Sequence, residues 1–361
     1  MLSLRTVVKL IVMSKNRKRF LICALRFHGD ILLTIPIINC IKRVYPESAI
    51  DLLVYKGTGT IVENDSRIQN IFEAHQSSEI SLFKRLFKEF NLIRRLRKNN
   101  YDFGLFLTTQ WRVALLSRCI KVNKTAAVDD KKRRKSFWIN SFSKIFPEAG
   151  NRHIIERNLS ALETLGIKTV HGDSELRIDI PEESKAWVNG FIKDQSIKDN
   201  YCVLHPVSRR NVKQWKQESF AFLADHYSNL GMKVVMTSGP NSEEKEYLQS
   251  INNLSNSEII DLGGKTTLFD LAALIEGAKF FVGLDSVASH IAAAVNTPGV
   301  TLFGPTRSEN WRPWSEKIGV ISRKGDEQLC SIHGHLKGKS KNCLCYITPE
   351  MVIQSLDKVV N

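Results

Sequence analysis

The sequence predicts an α/β protein made of two doubly wound parallel-sheet units. Short apolar runs rich in β-branched residues alternate with longer amphipathic segments along the chain, which is the pattern of parallel strands joined by helices. The length of 361 residues suits two domains of ordinary size. A hydrophobic fraction of 43% excludes disordered and collagen-like chains and allows large buried cores.

Short apolar runs in both halves of the chain are predicted to be strands, and the amphipathic segments between them to be helices. The strands are predicted at residues 20–25, 50–55, 101–107, 201–205, 233–238, 258–262, 280–283 and 300–303. The helices are predicted at residues 31–44, 81–97, 220–230, 242–251, 268–276 and 286–294. A polar segment containing Gly172 and Pro181 marks the seam between the units. We therefore predict domains at residues 1–175 and 176–345, with ligands bound beyond the carboxyl ends of the strands, in a cleft between the two units.

The net charge is distributed unevenly between the two halves. The whole chain carries a formal +15, but residues 1–150 hold 28 Lys and Arg against 12 Asp and Glu, a net +16. Its densest basic runs lie at residues 15–19, 84–98 and 131–135. Any one run fits an ordinary solvated surface, whereas the asymmetry predicts an anionic partner for this half: nucleic acid, an anionic membrane surface or a phosphorylated substrate.

The seven cysteines are odd in number and lie mostly in apolar runs, where a reduced thiol acts as a small hydrophobic group. This usage predicts a reducing, cytoplasmic compartment. We expect no signal peptide, because Arg5 and Lys9 interrupt the apolar stretch Leu4–Met13 and no small-residue cleavage site follows. We expect no membrane span, because no run of about 18 apolar residues occurs. The cysteines and histidines near the C-terminus lack paired CxxC spacing and give only a weak zinc pattern, so no metal site is predicted. Whether these residues bind a metal is left open by the sequence. They are Cys330, His333, His335, Cys343 and Cys345.

The segment Arg26-Phe27-His28-Gly29-Asp30 joins the first predicted strand to the first predicted helix. Gly29 is expected to allow a tight turn, and Asp30 falls at the start of the helix. The residues alone leave two interpretations of Asp30 open. It is either a helix cap, or a carboxylate that projects beyond the sheet and acts as a general base.

The loop after the predicted strand 201–205 contains Ser208, Arg209, Arg210 and Lys213. A hydroxyl group, backbone amides and three cations make a plausible phosphate cradle, although an ordinary basic loop has the same composition. The sequence contains neither GxxxxGK[ST] nor GxGxxG. Their absence argues against a P-loop nucleotidase and against a nicotinamide dehydrogenase.

The segment after the predicted strand 280–283 leads into a helix of small residues. It contains Asp285, Ser286 and Val287, and His290 follows one turn later. Free N–H groups at such a helix start suit a diphosphate, while a structural histidine is the alternative for His290. The chain has no Asp-x-Asp pair, which argues for handling a sugar nucleotide without the divalent ion that such a pair binds.

A strand at residues 300–303 is predicted to end in a Gly-Pro turn and to be followed by Trp311, Arg312 and Trp314. Aromatic and arginine side chains at the carboxyl end of a strand suit a sugar or base pocket. The same side chains also suit the hydrophobic core, and the residues leave both interpretations open.

Taken in order, these segments resemble the bacterial ADP-heptose:lipopolysaccharide heptosyltransferases. The resemblance rests on residues 26–36, 205–208, 213–215, 283–290 and 303–306, and spans about residues 20–315. The form Phe27-His28-Gly29-Asp30 followed by Ile-Leu-Leu most resembles heptosyltransferase III of that family.

The resemblance implies a GT-B fold, in which two Rossmann-like domains face each other across a cleft. It implies that domain 1–175 binds mainly the acceptor, that domain 176–345 binds mainly the donor, and that a helix within residues 346–361 packs back on the first domain. The implied reaction is an inverting, metal-independent transfer of L-glycero-D-manno-heptose from ADP-heptose to the phosphorylated inner core of lipopolysaccharide. No cofactor is implied, and the location is the anionic inner face of the cytoplasmic membrane.

The resemblance also assigns roles to residues that match the motifs of the family. Asp30 matches the general base, and Arg26, His28 and Gly29 match acceptor-binding positions. The donor-binding positions are Ser208, Lys213, Asp285, Ser286, Val287 and His290, together with a nucleoside-binding carboxylate at either Glu243 or Glu244. Many relatives have Thr-Gly where this chain has Ser286-Val287.

Two alternatives remain from the sequence. The first is a related glycosyltransferase with a different nucleotide-sugar donor or a different surface glycan as acceptor, because the motifs indicate a diphosphate more clearly than a sugar. The second is a nucleic-acid-binding protein, which would use the basic N-terminal half but lacks RNP, KH, helix-turn-helix and zinc-finger patterns.

Overall fold

The computed structural model describes residues 17–76, 82–133, 135–197, 200–209, 213–322 and 343–360. The chain divides into two compact units, Met1–Glu175 and Leu176–Asn361. Both units are α/β, and every strand pairing in both sheets is parallel, as the alternation of strand-like and helix-like segments predicts.

The first unit is a twisted sheet whose strands are all parallel. In the described residues the strands are β1 (Arg19–Ala24), β2 (Ala49–Tyr55), β3 (Asn70–Ala74), β4 (Tyr101–Phe106), β5 (Val122–Asp129) and β6 (Lys144–Pro147). The helices are α1 (His28–Leu32), α2 (Ile35–Val44), α3 (Leu82–Arg97), α4 (Trp111–Cys119), α5 (Ser136–Ile139) and α6 (Ile154–Thr164). The sheet order β3-β2-β1-β4-β5-β6 reverses direction between β1 and β4, and ligands of open α/β sheets bind at the carboxyl ends beside such a reversal.

The second unit repeats this topology. Its described strands are β7 (Tyr201–His205), β8 (Lys233–Ser238), β9 (Ile259–Gly263), β10 (Phe280–Leu284), β11 (Gly299–Phe303) and β12 (Ile318–Ser322). Its helices are α7 (Glu182–Asp194), α8 (Gln217–Asn229), α9 (Ser242–Leu254), α10 (Leu268–Glu276), α11 (Val287–Ala294), α12 (Ser308–Trp311) and α13 (Pro349–Val360). The sheet order is β12-β11-β10-β7-β8-β9, so the reversal lies between β7 and β10.

The strands that the sequence predicts lie mostly in the interior of each sheet, and the strands that it misses lie mostly at the edges. Every residue of β7 and β10 is buried, which is why both are nearly continuous apolar runs. The edge strands β3, β6 and β12 are only partly buried. Strands β3 and β6 each contain a charged residue, and β12 is a short apolar segment interrupted by Gly319, so none of the three is a long apolar run. The interior strand β5 begins with exposed polar residues and was missed for the same reason.

The predicted helix 31–44 is in fact two helices, and the expected tight turn at Gly29 is wrong. Helix α1 includes Gly29 and ends at Leu32, and α2 begins at Ile35 with Pro36 in its first turn. Proline has no N–H to donate and its ring clashes with the carbonyl group of residue i−4, so one continuous helix cannot pass through this point. The sharp turn lies instead at residues 24–26, where the Arg26 N–H donates to the Ala24 carbonyl (2.8 Å).

Helix α13 packs on β11, β12 and α8. Its Val352 and Leu356 are buried in the core of the second unit, and the Trp215 indole N–H donates to the Ile347 carbonyl just before the helix (2.9 Å). These contacts group α13 with the second unit, and its packing against the first domain stays a prediction. Among the described helices, none combines the length and the hydropathy that a membrane span requires.

A partly buried ion pair holds the last segment of the first unit against α2. Arg43 Nε and Nη2 donate to the two carboxylate oxygens of Asp173 at 2.7 and 2.8 Å, and Nη2 also donates to the Lys168 carbonyl. The Asp173 side chain is 3% exposed and that of Arg43 is 40% exposed. Burial raises the pKa of Asp173, but hydrogen bonds from Arg43 and from the Val170 N–H outweigh it, so this pKa lies below its usual value.

Replacing Arg43 with alanine is expected to lower the free energy of unfolding by more than the loss of an exposed ion pair does, because the buried Asp173 carboxylate loses both hydrogen bonds from the guanidinium. The measurement is urea denaturation of the full chain. Because the pKa of Asp173 is depressed in the folded state, the stabilisation is present above the unfolded value of about 3.9 and is lost as the pH falls through the lower folded pKa. The difference between the wild type and Arg43→Ala should therefore shrink below pH ~4.

The matched control is Lys18→Ala, which breaks the solvent-exposed pair between Lys18 and Asp102 (3.4 Å). It is expected to cost less than ~1 kcal/mol. Equal losses in the two variants would contradict the structural role given to the Arg43–Asp173 pair.

Candidate active site

In the first unit, Asp30 lies in the first turn of the helix that follows the central strand β1. The connection from Ala24 to His28 is short, so α1 starts directly beyond the carboxyl end of the strand. Asp30, Gly29 and His28 are partly buried and Arg26 is exposed. The four predicted base and acceptor residues therefore lie together at the place where an open α/β sheet binds ligands.

The His28 side chain braces this segment against the loop after β2. Its Nε2–H donates to the Gly57 carbonyl (3.1 Å), and the Gly57 N–H donates to the Glu73 carboxylate (2.7 Å). Gly57 has φ +77°, a left-handed conformation that favours glycine. Burial lowers the pKa of His28, and the hydrogen bond to Gly57 partly opposes this shift. One nitrogen of the His28 ring is thus engaged with the protein.

Gln110 links the loops that follow three neighbouring strands. Its side-chain carbonyl accepts from the Tyr55 hydroxyl at the end of β2 (3.0 Å), and its amide donates to the Leu25 carbonyl just after β1 (3.3 Å). Gln110 itself lies between β4 and α4. The segment that carries Asp30 is therefore tied by hydrogen bonds to the loops after both neighbouring strands, at Gly57 after β2 and at Gln110 after β4.

A buried arginine, Arg157 of α6, interacts electrostatically with Asp30 and is not among the site residues that the sequence predicts. Its Nη2 donates to the Leu107 carbonyl (3.0 Å) and to the Asn158 side chain (2.8 Å), and its Nη1 donates to Glu148 (3.2 Å). Burial lowers the pKa of Arg157, whereas Glu148 and Asp30 raise it. The guanidinium thus interacts electrostatically with the predicted base.

Asn158 extends this network to the helix of Asp30, because its amide donates to the Leu33 carbonyl at the end of α1 (3.3 Å). One sequence signal points to this pair. Arg157 and Asn158 are polar residues inside a helix whose neighbouring positions Ile154, Ile155 and Leu159 are apolar and buried. Polar side chains on the buried part of a helix need internal partners, and α1 together with the β4 end supplies them.

In the second unit, three predicted donor-binding residues meet across the reversal of the sheet. Lys213 Nζ lies 2.5 Å from Asp285 Oδ2, and both side chains are mostly buried. The Ser208 hydroxyl donates to the Asp285 backbone carbonyl (3.4 Å). Ser208 and Lys213 follow β7 and Asp285 follows β10, and these two strands are paired neighbours. The pairing of β7 with β10 thereby brings Ser208 and Lys213 into contact with Asp285.

The start of α11 carries polar groups that the protein leaves unsatisfied. Ser286 is the N-cap residue, in extended conformation and without a side-chain cap hydrogen bond. Among the described residues, Ser286 Oγ and His290 Nδ1 are buried atoms without a hydrogen-bond partner. Buried polar atoms are nearly always paired, so unpaired ones beside free helix N–H groups and a lysine fit an anionic ligand.

Burial lowers the pKa of His290 to about 4, while Asp285 raises it and Lys213 lowers it. The imidazole is therefore neutral near pH 7 and can offer a ligand a hydrogen bond but no positive charge. Val287 is the first residue of α11, so its backbone N–H belongs to the unsatisfied first turn of the helix. The small side chains of Ala288 and Ser289 are buried beneath it.

The two candidate nucleoside carboxylates have different surroundings. Glu244 is turned back onto the strand end, where its Oε2 accepts the Gly239 N–H (2.8 Å). Glu243 is exposed, and only its backbone N–H is used, donating to the Asn241 side chain that caps α9 (2.9 Å). The sequence leaves the choice between them open, and the structure favours Glu243 as the carboxylate available to a ligand.

Several sequence predictions fall on residues that the structure does not describe. Arg210 of the basic loop, together with Cys330, His333 and His335 and the side chain of Cys343, lies outside the described residues. Within the part of the chain that is described, no group of three or more His, Cys, Asp or Glu side chains could hold a metal ion.

The aromatic segment after β11 stays open between a ligand pocket and the core. The Arg312 guanidinium lies 5.7 Å from the centre of the Trp314 ring. Trp311 and Trp314 are each partly buried, so neither side chain lies fully in the hydrophobic core and neither is fully exposed to a ligand.

Comparison with known proteins identifies the family of the chain. A family model described as glycosyltransferase family 9 (heptosyltransferase) matches residues 89–338. The chain is 35% identical over 337 residues to lipopolysaccharide heptosyltransferase 3 of Escherichia coli K12, and the match covers 93% of this chain and 96% of that protein. The resemblance to heptosyltransferases, and to heptosyltransferase III among them, is confirmed.

Solved structures with the same fold cover nearly the whole chain. The glycosyltransferase family 9 structure from Veillonella parvula has a TM-score of 0.79 at 20% identity, covering 95% of this chain and 97% of that one. An Escherichia coli heptosyltransferase with ADP has a TM-score of 0.73 at 20% identity, covering 94% and 99%. The predicted α/β fold of GT-B type is thus confirmed. The chain belongs to glycosyltransferase family 9, the heptosyltransferase family, and is a glycosyltransferase.

Proposed function

We propose that this enzyme transfers L-glycero-D-manno-heptose from ADP-heptose to the phosphorylated inner core of lipopolysaccharide, adding the third heptose to a core heptose. The observation that carries the proposal is the 35% identity to a lipopolysaccharide heptosyltransferase 3 over nearly the full length of both chains. The proposed reaction inverts the anomeric centre, requires neither metal nor cofactor, and takes place at the cytoplasmic face of the inner membrane.

The second unit is proposed to bind the diphosphate of the donor. The N–H groups of Val287 and its neighbours, the hydroxyl groups of Ser208 and Ser286, and the His290 ring supply hydrogen bonds, and Lys213 supplies positive charge. Negative charge develops on ADP as its bond to the sugar breaks, and preorganised donors of this kind stabilise it without a metal ion. Glu243 is proposed to meet the nucleoside.

The first unit is proposed to bind the acceptor and to supply the base. The acceptor hydroxyl oxygen attacks the anomeric carbon on the face opposite to ADP, the bond from that carbon to the diphosphate breaks, and Asp30 takes the hydroxyl proton. One carboxylate suffices for such a single displacement with inversion. A retaining double displacement uses a second carboxylate as nucleophile.

The neighbours of Asp30 have supporting roles in this proposal. Arg26 is exposed and suits a phosphate of the acceptor. His28 and Gly29 shape the segment, and the positive charge of the buried Arg157 attracts the Asp30 carboxylate.

The proposal is tested by a transfer assay with the full-length protein, ADP-heptose and a panel of truncated core lipids, with products identified by mass. We expect transfer to the acceptor that lacks only the third heptose, inverted stereochemistry in the product, and an unchanged rate in EDTA. Transfer to a different acceptor or from a different nucleotide sugar would favour the related-transferase alternative, and loss of activity in EDTA would contradict metal independence.

Replacing Asp30 with asparagine is expected to lower kcat by roughly 10²–10⁴-fold, because the proton acceptor is lost while the shape is retained. The dissociation constant of ADP should stay within about twofold of wild type, because the proposed donor-binding residues lie in the other unit. Glu63→Gln, an exposed carboxylate of the same unit, is the control and should keep full activity. Undiminished turnover in Asp30→Asn would remove Asp30 as the base.

Replacing Lys213 with alanine is expected to weaken ADP binding about tenfold or more, the range for losing a hydrogen bond to a charged group. Calorimetric titration with ADP measures the change. The exposed Lys216, three residues away, gives the matched control, and Lys216→Ala should leave the ADP dissociation constant unchanged. Equal affinity in both variants would count against the phosphate cradle.

A further inference from the structure

Helix α3 presents an unusual outward face. Its Leu92 and Leu96 are buried in the core of the first unit, while Leu86, Phe87 and Phe90 are 60%, 68% and 63% exposed. Single exposed apolar residues are ordinary on a protein surface. Three large ones within two turns form a patch, and such patches mark interaction sites.

Cations continue this patch along the helix. Phe90 lies four residues after Leu86, Arg94 four after Phe90, and Arg97 three after Arg94, so these side chains share one face at the helical repeat. We call the exposed set Leu86, Phe87, Phe90, Arg94, Arg97 and Lys98 the outer face of α3. It is apolar in its first half and cationic in its second.

A groove lies at the cationic end of the outer face. It has a volume of about 320 Å³ and is lined by Phe90, Ile93, Arg94, Arg97, Lys98 and Lys121. Four of these six side chains are cationic, and none of the described residues that line it is acidic. The neighbouring Glu89 is turned away and paired with Arg112. The groove therefore suits an anionic group of headgroup size beside an apolar wall.

We propose that the outer face of α3 docks onto an anionic lipid bilayer. Leu86, Phe87 and Phe90 enter the boundary between headgroups and acyl chains, and Arg94, Arg97, Lys98 and Lys121 bind lipid phosphates. A bilayer is the partner that accepts both halves of this face, because an interfacial helix buries its apolar side chains while its cations stay at headgroup level. A nucleic acid would neutralise the cations but leave three bulky apolar side chains in water.

The charge of the whole unit is consistent with this partner. Residues 1–150 carry a net +16, and Lys/Arg residues near an anionic leaflet each add to the attraction. The purpose of this docking rests on the proposed function, because the acceptor is a membrane lipid. The docking itself is measured without acceptor or donor, so a failure of one proposal is distinguishable from a failure of the other.

The experiment is co-sedimentation of the full chain with vesicles of phosphatidylglycerol and phosphatidylcholine, compared with phosphatidylcholine alone, over a range of salt. Wild type is expected to bind the anionic vesicles and to lose binding as salt increases. The double variant Phe87→Ser with Phe90→Ser should lower the partition coefficient at least tenfold, because two apolar side chains no longer enter the bilayer. Arg94→Gln with Arg97→Gln should lower it roughly fivefold for each cation removed.

Matched controls separate this face from a diffuse effect of charge or hydrophobicity. Lys131→Gln with Lys132→Gln removes the same charge from exposed positions elsewhere in the first unit, and Leu230→Ser removes an apolar side chain that is 67% exposed in the second unit. Both controls should bind within about threefold of wild type. Absent binding by wild type, or equal losses in the controls and the α3 variants, would overturn the proposal.

Two further measurements complete the test. With detergent-solubilised acceptor, the α3 variants should retain wild-type transfer rates, because the outer face takes no part in the reaction itself. A duplex DNA arm tests the other partner class. If both α3 variants lose DNA binding while vesicle binding is unaffected, the face recognises nucleic acid and the bilayer proposal is wrong.

Discussion

The constraint on which the structure depends is that parallel strands all end at the same edge of their sheet. A parallel pair needs a crossover connection, which places helices on both faces and leaves the strand ends as loops. Where the strand order reverses, two adjacent loops turn in opposite directions and leave room for a ligand. The predicted base follows β1 at one reversal, and the predicted diphosphate site follows β7 and β10 at the other.

The two candidate sites, around Asp30 and at the start of α11, differ in how many of their polar groups have hydrogen-bond partners. Around Asp30, the loops are braced by His28, Gln110 and Arg157, each with internal partners, so the segment is held before any ligand arrives. At the start of α11, Ser286 and His290 keep buried polar atoms without partners. Leaving such atoms unpaired costs stability in the free protein, and a diphosphate oxygen that pairs with them recovers that cost as binding free energy.

The ion pair between Lys213 and Asp285 matters more for the position of the lysine than for the stability of the fold. Its salt bridge to Asp285 is partly buried, and a pair of this kind contributes little net stability because both groups lose hydration. It does, however, fix the position of a cation that hangs on a flexible stem. Asp285 therefore acts on the lysine that is proposed to face the phosphates, as a positioning residue, and the hydroxyl of Ser208 ties the backbone of Asp285 to the same loop.

The sequence by itself determined the class of fold, the family, the positions of most interior strands and the segments of the candidate site, because buried parallel strands and helix starts leave local patterns of apolar, small and polar residues. It did not locate the edge strands β3, β6 and β12, and it predicted one helix where α1 and α2 are separate, although Pro36 is a local signal for that break. Only the tertiary structure decided the electrostatic contact of Arg157 with Asp30, the Lys213–Asp285 pair and the groove at the end of α3. The physical reason is that each of them depends on contacts between residues far apart in the chain, such as Arg157 with Leu107 or Lys213 with Asp285, and no local pattern encodes which distant partner a side chain will meet.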